Sequence, residues 1–277
     1  MTETAKAQAP TSPWLDRDAR AFLLRKLFSL TGVVPVAGFT IFHLWKNAAA
    51  LYGREAFTTM AEEINAMPYL VVFEVAFIVV PILLHAVLGI LIVLDAKYNV
   101  GSYKHARNWM FTMQRAAGVV ALGFILYHVY ELRFQKLMGE MQPAGFYDAL
   151  CNDLSSTVWG IPAVALLYVF GIGAIAFHLA NGLWGFLCSW GITVTRRSQR
   201  ISASLLGVLG LVVFALGANT ALYFATGSNF FVPASSEQGG VELEHCPGSA
   251  KRIAPEPAKE SAPVATPAPP GSAPSNP

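Results

Sequence analysis

Charge is scarce in this chain. Asp, Glu, Lys and Arg make up 13% of its 277 residues, against about 25% in soluble domains, which excludes an ordinary soluble protein. The cysteine patterns of many metal and cofactor proteins are missing too. Cys151, Cys188 and Cys246 form no Cys-x-x-Cys pair, so neither a structural zinc nor an iron–sulfur cluster is expected. Without a Cys-x-x-Cys-His signature, any haem would lack a covalent tether. Residues 1–26 are polar and mixed in charge and do not read as a cleavable signal. The formal net charge of +2 gives no reason to expect a nucleic-acid partner.

Apolar residues are what the chain has in excess. They reach 54% of the total and gather in five runs, near Phe28–Ala50, Tyr69–Leu94, Trp109–Phe134, Val158–Cys188 and Ala203–Thr226. A spanning helix needs about 20 such residues, so the expected fold is an all-α membrane bundle of five transmembrane helices. Pro35 and Pro81 fall inside runs, where kinks are expected. The fourth run is long and is expected to tilt or extend past the hydrocarbon.

Lys and Arg decide the orientation. The N-terminal segment carries Lys6, Arg17, Arg20, Arg25 and Lys26. The second connection with its helix ends carries Lys97, Lys104, Arg107 and Arg115, and the fourth carries Arg196, Arg197 and Arg200. Acidic residues tip the first and third connections: Glu55, Glu62, Glu63, Glu140, Asp148 and Asp153. The N-terminus is therefore expected in the cytoplasm and the C-terminus outside. Three regions follow: a cytoplasmic segment 1–27, a membrane domain 28–226, and a tail 227–277. The tail is rich in Pro and Ala and reads as a disordered outer spacer.

Four histidines, His43, His85, His128 and His178, lie in four different spans. Ionisable side chains inside a membrane are costly and mark function by default. Counting about 1.5 Å per residue, His43 and His128 lie about 10 Å from the outer ends of their spans. By the same count His85 and His178 lie about 14 Å from the inner ends. Matched depths make two facing pairs, and neutral imidazole is a ligand for iron. Two such pairs suggest two b-type haems stacked across the bilayer. Axial histidine on both sides leaves no open iron position, so the expected chemistry is electron transfer. His105 and His245 lie outside the spans and are expected to be solvated. Gly89 and Gly182 follow His85 and His178 by four residues, while Gly38 and Gly123 precede His43 and His128 by five. They either clear space for a flat macrocycle or serve ordinary close helix packing.

Several stretches resemble the cytochrome b membrane-anchor subunit of succinate:quinone oxidoreductase, in its five-helix, two-haem form. They are RKLFSLTGVVP at Arg25–Pro35, LLHAV at Leu83–Val87, RNWMFTMQRAAG at Arg107–Gly118, YHVYELR at Tyr127–Arg133 and FHLANGLWGFLCSWGITVTRRSQRIS at Phe177–Ser202. The resemblance runs over about residues 20–225. It implies His85 and His178 as ligands of an inner haem, and His43 and His128 as ligands of an outer haem. It implies a flavoprotein partner with FAD and an iron–sulfur partner on the cytoplasmic face of a bacterial cytoplasmic membrane. Its electron acceptor would be quinone, with menaquinone favoured. This chain has no Gly-rich nucleotide fingerprint after a strand, so FAD and the clusters are expected only on the partners.

Ser29, Gln114 and Arg115 match motif positions of that family and are expected near the inner haem's edge, where anionic propionates seek cations and hydroxyls. Arg115 could equally snorkel to the interface. Glu74 is the one carboxylate well inside a span, at about the level of the outer haem. It is expected either to exchange protons with quinone or to serve as an interfacial acid. Between Ile161 and Gly191 the fourth span has no Asp or Glu, so no carboxylate relay is expected there. Three other readings stay open: a fumarate reductase of the same architecture, a cytochrome b of another quinone-linked enzyme, and a transporter with a histidine proton relay.

Overall fold

The computed structural model describes residues 17–96 and 100–228. Among them there is no β-strand, and the chain is a bundle of helices. Five are long and apolar enough to cross a membrane: α1 (Ala19–Tyr52), α3 (Leu70–Leu94), α4 (Ala106–Leu137), α6 (Ala163–Ser189) and α7 (Arg196–Thr226). Two short helices lie between them, α2 (Arg54–Asn65) and α5 (Phe146–Leu154). The tail expected over 227–277 lies almost wholly outside the described residues.

Local chemistry explains where the helices start and stop. The basic first turn of α7 is helical because Thr195 and Ser198 form a reciprocal capping box, which satisfies otherwise orphaned N–H groups. Gly227, at φ 75°, ends that helix, a conformation that suits glycine. The fourth span is shorter than the sequence suggests. Val158 and Ile161 exchange backbone hydrogen bonds of 2.9 and 3.1 Å, and Trp159 and Gly160 between them have positive φ. That tight turn delays the helix to Ala163, just after Pro162. Pro35 falls inside a π-helical stretch, Gly32–Ala37. A second stretch, Val75–Val79, ends just before Pro81. Widened turns thus accompany the prolines, which remove i→i−4 hydrogen bonds.

The bundle closes around α1, α3, α4, α6 and α7. The most extensive packing joins α6 to α7 and α4 to α6, with α1 against α3. Small residues permit the closest approach: a Cβ on Gly210 would lie 2.8 Å from that of Ala180. Outward faces are apolar and exposed, as at Val71, Phe73, Leu205 and Leu211, which suits a lipid surround.

The two ends of the bundle differ. At one end α2 and α5 fold over the helix termini and build a packed cluster of Leu51, Phe57, Tyr147, Leu150, Leu154 and Phe224. A bidentate Arg54–Asp148 contact, with one arm at 2.6 Å, ties α2 to α5. Burial is the largest influence raising the Tyr147 phenol above its ordinary range, so it stays protonated. This is the capped end. The opposite, open end has no such lid among the described residues and carries Arg25, Lys26, Arg107, Arg196, Arg197 and Arg200.

Candidate functional site

A cavity of about 1580 Å³ runs through the bundle, and all four membrane histidines line it. That exceeds the roughly 300–1,000 Å³ of most small-molecule sites. The histidines meet in two pairs. His43 and His128 face each other with ring centroids 5.8 Å apart and planes at 73°. His85 and His178 stand 6.1 Å apart at 89°. With metal–nitrogen bonds of about 2 Å and ring centroids roughly 1.1 Å behind the ligating atoms, two imidazoles on one metal stand about 6 Å apart. Both pairs have that spacing.

Hydrogen bonds select the nitrogen left free. His85 Nδ1 lies 2.9 Å from the Phe28 carbonyl oxygen, and His178 Nδ1 lies 3.0 Å from that of Gln114. A carbonyl only accepts, so each Nδ1 carries its proton and each Nε2 keeps a lone pair. His128 Nδ1 meets the Tyr168 hydroxyl at 3.2 Å. His43 differs. Asn47, one turn on, places Nδ2 at 3.4 and 3.3 Å from its two ring nitrogens and donates to the His43 carbonyl at 2.8 Å.

Of the four glycines that flank the histidines in sequence, Gly89 and Gly182 serve close packing between helices. A Cβ on Gly89 would touch Phe28, and one on Gly182 would touch Gln114 Nε2, each at 3.2 Å. Nothing lies within 4 Å of a Cβ on Gly38 or Gly123. Gly32 and Gly118 are the residues against the rings. A Cβ there would come to 2.5 Å from His85 Cε1 and 2.9 Å from His178 Cε1. These contacts cross between helices, where spacing from the histidine along its own helix carries no signal.

The remaining candidates sit as follows. Gln114 holds its neighbour twice: its carbonyl accepts from the His178 ring, and its Nε2 donates to the His178 carbonyl at 3.0 Å. Asn181 in turn donates to Gln114 Oε1 at 2.8 Å. Ser29 lines the cavity at the open end and accepts from Trp190 Nε1 at 3.1 Å. Arg115 lines it too, with its guanidinium 3.9 Å above the Phe111 ring centroid. Glu74 lines the cavity and forms an ion pair with Arg133 of α4. Sequence reasoning missed Arg133, whose place near the end of a span reads as interfacial. His105 is exposed at the start of α4, and His245 lies outside the described residues.

Among the described residues no group of three or more His, Cys, Asp or Glu could hold a metal ion. Two-histidine sites in a roomy apolar cavity instead suit a metal that brings its equatorial donors with it. Five apolar helices around such an interior define a multi-pass membrane protein of the cytochrome b kind. The comparisons narrow the class. The chain is 43% identical over 183 residues to the succinate dehydrogenase cytochrome b558 subunit of Bacillus subtilis (strain 168), covering 66% of this chain and 87% of that one. No protein-family model matches it. The chain belongs to the family of succinate dehydrogenase cytochrome b subunits, membrane components of an electron-transport oxidoreductase.

Proposed function

We propose that the chain holds two b haems, anchors succinate dehydrogenase to the membrane, and passes electrons from its iron–sulfur partner to a quinone, menaquinone being the favoured acceptor. The observation that carries this reading is the pair of opposed imidazole sites, at 5.8 and 6.1 Å, on one shared cavity. His85 and His178 hold the inner group and His43 and His128 the outer one. When bound between these histidines, haem b would supply one-electron transfer rather than bond chemistry on a substrate.

The protein's own groups set the conditions. Carbonyl partners on Nδ1 fix the orientation and raise the donor strength of the two inner ligands. Ser29, Gln114 and Arg115 line the open end of the cavity and supply hydrogen-bond donors for the inner group's carboxylates. The apolar wall excludes water and lowers the local dielectric. Glu74, paired with Arg133 beside the outer site, is the acid that exchanges protons with quinone.

The basic open end supports a cytoplasmic placement of that face, with the flavoprotein and iron–sulfur subunits bound there. Cysteine chemistry agrees. Cys151, on the capped side, is disulfide-bonded, which suits an oxidising exterior, and Cys188 at the open end is free. Residues 1–27 then lie in the cytoplasm of a bacterium, 28–226 in its inner membrane, and 227–277 outside. To test the reading, the chain is purified with its copurifying partners, its haem is counted, and succinate-driven menaquinone reduction is measured. Two haems per chain with quinone reduction support it; a colourless preparation refutes it.

A further inference from the structure

The contacts around the open-end pair occur twice, in the same register. In the first set, His85 Nδ1 donates to the Phe28 carbonyl and the ring lies against Gly32, four residues further on. Gly89, four residues after His85, lies against the Phe28 side chain. In the second set, His178 Nδ1 donates to the Gln114 carbonyl and the ring lies against Gly118, again four residues on. Gly182, four residues after His178, lies against the Gln114 side chain. Residues four apart share a helix face, so each set is a reciprocal clamp between two antiparallel helices.

The repeat continues toward the capped end. Gly38–His43 reads GFTIFH and Gly123–His128 reads GFILYH. Phe39 stacks on His43 with centroids 5.1 Å apart, and Phe124 on His128 at 5.9 Å. Six residues separate Gly32 from Gly38, but only five separate Gly118 from Gly123. The extra residue falls where α1 is π-helical, Gly32–Ala37. A π-bulge takes up one residue without disturbing the helix on either side, so the two copies keep one geometry.

We propose that α1–α3 and α4–α6 are two copies of one ligand-holding hairpin, and that Gly32 and Gly118 are positioning residues for the inner ligands. Each gives up its side chain so that a histidine ring can reach the carbonyl one turn back and turn Nε2 into the cavity. Gly89 and Gly182 play the lesser part of seating the residue whose carbonyl is used. This rests on the reading of the histidines as haem ligands and deepens it.

The test measures haem per chain and low-spin electron paramagnetic resonance signals in membranes holding the full chain with its partners. Steric clearance sets an order: Gly32→Ala and Gly118→Ala collide with ring atoms, Gly89→Ala and Gly182→Ala press a movable side chain, and Gly38→Ala and Gly123→Ala meet nothing. Gly32→Ala and Gly118→Ala are expected to lose the inner haem, halving haem per chain, or to displace its low-spin signal while the outer signal stays. Gly38→Ala and Gly123→Ala are expected to match the parent protein. Should the first two variants fail to reach the membrane, Gly89→Ala and Gly182→Ala decide. A shifted inner signal with normal haem content supports the clamp, and an unchanged signal overturns it. His178→Ala separates the failures. If it keeps both haems, the ligand reading itself fails; if it loses one while all six glycine variants are silent, only the clamp fails.

Discussion

The two histidine pairs are oriented by different kinds of group. At the open end both rings donate to backbone carbonyls, of Phe28 and Gln114, and nothing folds over them among the described residues. At the capped end the partners are side chains, Tyr168 and Asn47, beneath the aromatic packing of Phe57, Tyr147 and Phe224. A carbonyl partner survives any side-chain substitution at its own position, whereas a hydroxyl or amide partner is removed by one. The open-end pair is thus fixed by helix geometry, and the capped-end pair is tunable. On the proposed reading, that difference suits an electron path whose entry stays in register with a partner subunit while its exit is matched to a quinone.

The comparison can be broken most severely at the ligands. His178→Ala is expected to remove the inner haem and to uncouple succinate oxidation from quinone reduction, measured by following both activities in one preparation. Phe124 comes next. It is buried, stacks on His128, and fills the space left by Gly171, whose Cβ would meet it at 2.3 Å. Phe124→Ala should cost about 3–5 kcal/mol and release the outer haem first on heating, as read by absorbance. Glu74→Gln keeps an acceptor for Arg133 but cannot take a proton. Quinone reduction should slow by about a hundredfold with haem content normal; unchanged turnover would count against the proton role.

Smaller effects sharpen the contrast. Tyr168→Phe removes the hydrogen bond to His128, worth about 1 kcal/mol. Since a less basic ligand stabilises oxidised iron less, the outer haem's potential should rise, by at most roughly 40 mV for a one-electron couple if the bond acts on the oxidised state alone. The surface Arg54–Asp148 pair, partly exposed on both sides, should contribute only about 0.2–1 kcal/mol in a double-mutant cycle. A larger value would mean that the cap's ion pair, rather than its apolar packing, holds α2 on α5.

Much of the fold was legible because lipid imposes strong rules. Long apolar runs can only be helices there, and the five spans were found with ends off by up to about nine residues. Span ends were lost where polar residues extend a helix, as at Ala19 and Arg196, or where a tight turn shortens one, as before Ala163. The histidines could be matched in depth because helical rise is constant. What spacing along one helix could not convey is contact across two. Gly32, Gly118, Tyr168 and Arg133 act on residues 40 to 60 positions away in the chain, and on a different helix in every case. The repeated GF…H segments were a visible signal of the paired hairpins, masked by the one-residue offset that the π-helical turn absorbs.

The most direct measurement is the haem complement of four single variants, His43→Ala, His85→Ala, His128→Ala and His178→Ala, each read by reduced-minus-oxidised absorption and low-spin resonance signals. The account predicts two classes: the His85 and His178 variants lose one and the same signal, and the His43 and His128 variants lose the other. Loss of a signal shared by His43 and His85, or four variants that all keep both haems, would contradict it.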